Sequence, residues 1–397
     1  MRHNQGIRQI LIFIEKQIKF MKSKIIIPIL LGFFVMGFVD VVGISANYVK
    51  DDFNLSDTMA NLLPSAVFLW FFVFSIPTGL LMARWGKRKV VAASMLVTGI
   101  AMLLPFVAYN FATMMLTFAM LGIGNTMLQV SLNPLCAGLV DKNRQASILT
   151  WGQFIKAISS FLGPILASAA AIYTGEWMMI FAIYAAFSVL NLVWIWFAIS
   201  PDGPGAKAAT FGSTLSLFSD SYIFHLFVGI LAIVGIDVGL NTVIPRLLIE
   251  KTGMPLAQAA LGTSFYFVAR TAGTFVGAIV LGIFSPQKLL KATMIIAIFA
   301  VIGLMLCSEA WLLWVLIALC GVMFANVFAI IFAFALQHKP ESEGSISALM
   351  IMGVSGGALV PPLMAFVADA STQSLSLVVL AVATLYLLLG IKQPKNA

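Results

Sequence analysis

Four ionisable side chains stand inside otherwise apolar stretches of this 397-residue chain: Asp40, Lys156, Asp237 and Arg270. In hydrocarbon such a group costs at least ~2.5–3.5 kcal/mol on insertion scales, so it faces a water-filled cavity or an opposite charge. A carboxylate in that setting can take up a proton near neutral pH, which makes Asp40 and Asp237 candidate proton carriers. Two negatives and two positives also sum to zero, and the alternative is a pair of ion bridges that hold helices together. In "TWGQFIKAISSFLGPIL" (150–166), Gln153 and Lys156 are three residues apart and share one helical face. A lysine there must be neutral, paired or solvated in a cavity.

The elements that carry these residues are membrane helices. The chain is 61% hydrophobic and 10% charged, whereas a soluble domain carries roughly a quarter charged residues. Apolar runs long enough to span hydrocarbon, about 20 residues each, occur near 25–49, 58–83, 89–108, 112–139, 146–173 and 176–200. A second six lie near 223–249, 256–284, 288–306, 310–337, 344–370 and 374–391. The expected organisation is a tail at 1–24, a six-helix bundle over 25–200, a Gly/Pro/Ser/Ala-rich linker over 201–222, a second bundle over 223–391 and a tail at 392–397. The first 24 residues carry Arg2, Arg8, Lys16, Lys19, Lys22 and Lys24 around an apolar face. They read either as an interfacial amphipathic helix or as a segment preceding a true start at Met21, and Glu15 and Lys16 break any signal-peptide core.

Charge then sets orientation. If the N-terminus is cytoplasmic, 18 of the 23 Lys and Arg fall in cytoplasmic segments, and Lys50, Arg246 and Lys251 are the three outside. The positive-inside rule therefore predicts both termini in the cytoplasm. The net charge of +8 reports this topology, and no basic domain exists to hold nucleic acid. Cys136, Cys307 and Cys320 sit in apolar runs without metal-ligand spacing and read as packing residues. No Gly-x-x-x-x-Gly-Lys-Ser/Thr loop occurs, which disfavours an ATP-driven motor. His3, His225 and His338 form no cluster with a nucleophile, so neither enzyme chemistry nor a metal site is expected.

The two halves are related. "MGFVDVVGI" (36–44) matches "VGIDVGLN" (234–241), with Asp40 and Asp237 offset by 197; Gly79 matches Gly277 at 198; "SILTWGQ" from Ser147 matches "SALMIMG" from Ser347 at 200. Nearly constant offsets in order along the chain indicate duplication of a six-helix unit, the plan of secondary transporters.

"GLLMARWGKRK" from Gly79 then carries a resemblance. It is similar to the loop signature of the major facilitator superfamily, Gly-x-x-x-Asp-Arg/Lys-x-Gly-Arg/Lys-Arg/Lys: Gly79, Arg84, Gly86, Lys87 and Arg88 fit, and Ala83 replaces the acid. Further pieces resemble the fucose–proton symporter and glucose/galactose permease group within it: "SAVFLWFFVFSIPTGLLM" (65–82), "LQVSLNP" (128–134), "WGQFIK" (151–156), "ARTAGTFVG" (269–277) and "VSGGALVPPLMAFVADAS" (354–371). The resemblance implies an all-α membrane protein of twelve transmembrane helices in two six-helix pseudo-repeats, importing a monosaccharide with protons by alternating access across a bacterial inner membrane. It also implies no cofactor, with a proton or sodium as the coupling ion, and a monomeric state.

Residue by residue, Asp40 matches the family's proton-linked acid, Asp237 is its repeat mate, and Arg270 matches a family arginine. Asp237 reads as either a coupling acid or a partner of Arg270. The family has Glu where this chain has Gln129, and Asn where it has Lys156, three residues after Gln153. Those changes make the expected pocket more positive, and an anionic sugar acid or other small carboxylate becomes the alternative substrate. A sugar-binding receptor that does not transport is the third reading. Phe68, Trp70, Phe71, Phe72, Trp151, Tyr266 and Asn326 are available for ring stacking and hydroxyl contacts. Asn133, before Pro134, is either a sugar contact or a donor to backbone freed by the proline. Lys156 has two credible partners, Asp40 or a substrate carboxylate, and the first is preferred because the family's substrates are neutral.

Overall fold

The computed structural model describes residues 25–55, 59, 62–200, 210–259 and 261–394. The N-terminal segment 1–24, with its amphipathic helix or alternative start, lies outside the described residues, as do 201–209 of the linker and 395–397 of the tail. All the regular structure of the described residues is helical. It runs α1 (Ile26–Met36), a 3-10 turn (Gly37–Val41), α2 (Val42–Asp52), α3 (Leu62–Trp85), α4 (Lys87–Val107), α5 (Phe111–Ala137), α6 (Gln145–Thr174) and α7 (Met179–Ala198). After α8 (Phe211–Leu215) come α9 (Ser221–Thr252), α10 (Leu256–Ala259), α11 (Leu261–Val280), α12 (Pro286–Leu306), α13 (Ala310–Phe324), α14 (Val327–His338), α15 (Glu343–Met352), α16 (Gly356–Ala370) and α17 (Gln373–Gly390).

Eleven of these segments are long and apolar enough to cross a membrane. The twelfth is α11, whose apolarity is diluted by Thr263, Arg270, Thr271 and Thr274. Span limits fall within a few residues of the sequence expectation, except at the eighth. There α10 stands apart as a four-residue helix, and bonds from Gly282 N to Ile279 O (3.1 Å) and Ile283 N to Val280 O (3.0 Å) close the far end. Helix starts carry the caps their residues suggest. Asn110 Oδ1 accepts from Thr113 N (2.9 Å), and Thr372 Oγ1 from Leu375 N (3.0 Å). The linker is not all loop: Thr210 and Ser213 exchange side-chain-to-backbone bonds of 2.8 and 3.1 Å and start α8.

The described residues fall into two compact units. The first takes its residues from Met1–Leu139, Gly152–Leu215 and Glu341–Met352, the second from Val140–Trp151, Ser216–Pro340 and Gly353–Ala397. The chain changes unit at Trp151–Gly152 and at Met352–Gly353, within the two stretches aligned as repeat mates at Ser147 and Ser347.

Small residues set the helix spacing inside each unit, as membrane packing requires. In the first, a Cβ on Gly37 would lie 2.7 Å from Lys156 O and from Ser159 Cβ, so the 3-10 turn and α6 meet backbone to backbone. In the second, a Cβ on Gly356 would lie 2.1 Å from Leu231 O, so the glycine-rich start of α16 serves close packing on α9. Cys136 and Cys320 are buried free thiols and Cys307 is half-buried.

Candidate functional site

In the first unit, the first span is broken where its acid sits. Residues Gly37–Val41 adopt 3-10 geometry between α1 and α2, and such a stretch inside a helix often marks a functional site. Asp40 is exposed within that turn. Its Oδ2 accepts a short hydrogen bond from Ser160 Oγ, and the same hydroxyl lies 3.0 Å from Lys156 O on its own helix. Phe38 fixes the other side of the turn by stacking on Tyr184 of α7, centroids 3.7 Å apart.

A ladder of amides on α5 supports the break. Asn125 Nδ2 donates to Met36 O (2.7 Å) at the end of α1, and its Oδ1 accepts from Gln129 Nε2 (2.7 Å). One turn on, Asn133 Nδ2 donates to Gln129 O (2.8 Å). All three are buried, so Gln129 and Asn133 spend amide hydrogens on the protein itself. The carbonyl that Pro134 frees, that of Val130, is met by Ser347 Oγ of α15 at 2.6 Å, not by Asn133.

Lys156 and Gln153 are half-buried on the face of α6 that also carries Ser160. The preferred Lys156–Asp40 pair is not formed: among the described residues no carboxylate lies within ion-pair distance of Lys156. The physical reason is register, since Ser160, one turn along α6, occupies the position facing Asp40. Phe68 and Trp70 are half-buried; Trp70 is edge-on to Phe74 (6.1 Å), and its Cβ would lie 3.3 Å from a Cβ on Gly122 of α5. Phe71 is buried and Phe72 is exposed.

The second unit holds a different arrangement. Arg270 Nη2 on α11 pairs with Asp237 Oδ2 on α9 at 2.5 Å, and Tyr266 OH, one turn before Arg270, donates to Asp237 Oδ1 at 2.5 Å. Both carboxylate oxygens are thus engaged, and of the two roles open to Asp237 the pairing is the one formed. Tyr266, expected as a stacking aromatic, is fully buried with its hydroxyl on Asp237, so no ring face is left open. Asn326 sits at the junction of α13 and α14, buried against Gly277 and donating to Gly273 O at 3.2 Å. It holds helices together. Trp151 is edge-on to Phe275, 5.6 Å between centroids.

The basic loop lies in the first unit. Gly86 has φ 83°, a left-handed value that favours glycine, and turns α3 into α4. Lys87 Nζ pairs with Glu343 in the first turn of α15. Arg88 donates to Ile199 O (2.9 Å) and lies 4.7 Å over the Trp196 ring. Gly79 approaches Gly344 and Ala348, a Cβ there falling 3.0 Å from Gly344 O. Arg84 is exposed at the helix end. With Ala83 in place of the family acid, the carboxylate in contact with the loop comes from Glu343.

Ser160 and Asn125 were not singled out by sequence reasoning. Asn125 carried a readable signal, since Asn125, Gln129 and Asn133 recur every fourth residue in an apolar helix. A lone serine such as Ser160 carries none.

Known proteins place this geometry. Residues 29–362 match the sequence profile of the Major Facilitator Superfamily. The glucose/galactose transporter of Brucella abortus is 23% identical over 361 residues, covering 85% of this chain and 86% of that protein. The L-fucose-proton symporter of Escherichia coli is 22% identical over 361 residues, with 80% and 81% covered. Its crystal structure superposes with a TM-score of 0.81 at 19% identity over 93% of this chain and 98% of that one, a likeness of fold. With twelve membrane helices in two pseudo-repeats and a profile match over most of its length, the chain belongs to the Major Facilitator Superfamily.

Proposed function

We propose that this protein is a secondary active transporter that imports a monosaccharide by coupling its entry to that of a proton, in alternating access across a bacterial inner membrane. One observation carries the reading: Asp40 lies exposed in the broken turn of the first span, held by a hydroxyl and by no cation among the described residues. A carboxylate so placed can gain and lose a proton without breaking an ion pair, whereas Asp237 would have to abandon Arg270. The sugar class is supported by the glucose/galactose and fucose transporters to which the chain is similar.

Asp40→Asn tests it. The amide keeps a hydrogen bond and carries no proton, so accumulation driven by an imposed pH gradient should be lost while exchange of labelled sugar across the membrane persists. Undiminished pH-driven accumulation would remove Asp40 from coupling. Accumulation against a gradient by the unmodified protein also separates a transporter from a receptor that only binds.

A further inference from the structure

The face of the first unit that carries Asp40 also carries an unneutralised cation, and the two set a charge rule for what can be bound. Lys156 and Ser160 are one turn apart on α6, and Ser160 reaches Asp40. Lys156 therefore stands about one helical turn, roughly 5.4 Å of rise, from the serine that holds the carboxylate, and it forms no ion pair with Asp40. Among the described residues, the elements packed around them add no further charge at this level. The 3-10 turn contributes Asp40, α5 offers the neutral amides Asn125 and Gln129, α7 offers the phenol Tyr184, and α6 has no other Asp, Glu, Lys, Arg or His along its length, its one further titratable group being Tyr173 near its far end.

With Asp40 ionised, this face carries one negative and one positive charge and is neutral. Protonation of Asp40 alone leaves a net positive charge at Lys156, and binding of an anion alone leaves a net negative charge. On an exposed turn bounded by apolar helices a net charge is disfavoured, though less than in dry hydrocarbon. Protonation together with a carboxylate seated on Lys156 restores neutrality, so each event makes the other easier, as reciprocal linkage requires. A neutral sugar leaves the Lys156 charge uncompensated when Asp40 is protonated.

We infer that the transported monosaccharide carries a carboxylate, which Lys156 receives, and that one proton on Asp40 accompanies each carboxylate. Gln153, three residues before Lys156 on the same face, is placed to hydrogen-bond the sugar. The inference rests on the proton-coupled monosaccharide reading and narrows its substrate to sugar acids. Its transport cycle moves no net charge, since the proton and the anion enter together.

The test uses purified full-length protein in vesicles, with galacturonate, glucose, galactose, fucose and lactate as probes, and with pH and potassium-diffusion potentials imposed separately. The expected result is galacturonate uptake driven by an acidic exterior, unchanged by membrane potential, with the neutral sugars at least about tenfold slower. Lys156→Asn should reduce galacturonate uptake by about ten- to a hundredfold, the worth of a charge-assisted hydrogen bond. Lys156→Arg should retain most of it, showing that the charge and not the fold was removed. Potential-driven uptake of a neutral sugar without galacturonate uptake would overturn the inference and leave the monosaccharide symporter standing. Lactate uptake alone would keep Lys156 as a carboxylate receptor but overturn the sugar assignment, and uptake of no probe under either gradient would overturn the proposed function itself.

Discussion

Asp40 and Asp237 are repeat mates with opposite surroundings. The first accepts from a serine on an exposed turn; the second is gripped by Arg270 and Tyr266 on a continuous helix. Duplication supplied two equivalent acids, and their neighbours gave them different chemistry. Arg270→Met should leave the Asp237 carboxylate with only the tyrosine and lower stability by about 1–3 kcal/mol, less than for a fully buried pair because both side chains keep some exposure. Adding Asp237→Asn should recover most of that loss and leave pH-driven accumulation intact; a folded double variant that no longer accumulates substrate would move the proton to Asp237. At this scale the sequence was readable where charge was involved. Asp40, Lys156, Asp237 and Arg270 stand out because an ionisable group in hydrocarbon must have a reason. Tyr266 could be read only as an available aromatic, because residue type does not say which way a ring faces, and Ser160 was invisible because a hydroxyl is tolerated almost anywhere.

Helices were legible nearly to their ends, but their interruptions were not. Prolines at 77, 105, 134, 164 and 245 lie inside continuous helices, while the breaks at Gly37–Val41, Ala325–Asn326 and Gly353–Ser355 contain none. A proline in a membrane helix frees one carbonyl, and a neighbour that satisfies it removes the reason to break. Pro134 shows how: Ser347 takes the orphaned Val130 carbonyl at 2.6 Å. Only the packed structure reveals such a donor, 217 residues away in sequence. Ser347→Ala should therefore cost about 1–3 kcal/mol by stranding a buried acceptor, whereas in a Pro134→Ala background, where the backbone N–H is restored, the same change should cost far less. Melting followed by tryptophan fluorescence in detergent measures both steps; equal losses in the two backgrounds would show that Ser347 does not stand in for the missing N–H.

Across the whole molecule, the distribution of positive charge predicts the orientation of the chain. Of the 23 Lys and Arg, 18 fall in the two tails and the five loops that share a side with the N-terminus, against three on the other. Of the clustered Arg84, Lys87, Arg88 and Lys89, two are tied into the protein where α3 turns into α4, Lys87 through Glu343 and Arg88 through the end of α7. Translocating such a cluster would require dragging several ammonium and guanidinium groups through hydrocarbon at ~2.5–3.5 kcal/mol each on the insertion scale. Lys50, Arg246 and Lys251 oppose this with far less weight, and Lys251 is drawn onto the Met305 and Cys307 carbonyls at 2.7 Å. An even number of spans then returns the C-terminal end to the side of the N-terminal one. A fluorescent reporter that matures in the cytoplasm should glow when fused after Ala397, and a phosphatase active only in the periplasm should stay silent at the same position. The reverse pattern would mean either that the positive charges do not set the orientation or that one of the twelve helices does not span, and moving both reporters to the α2–α3 loop would tell the two apart.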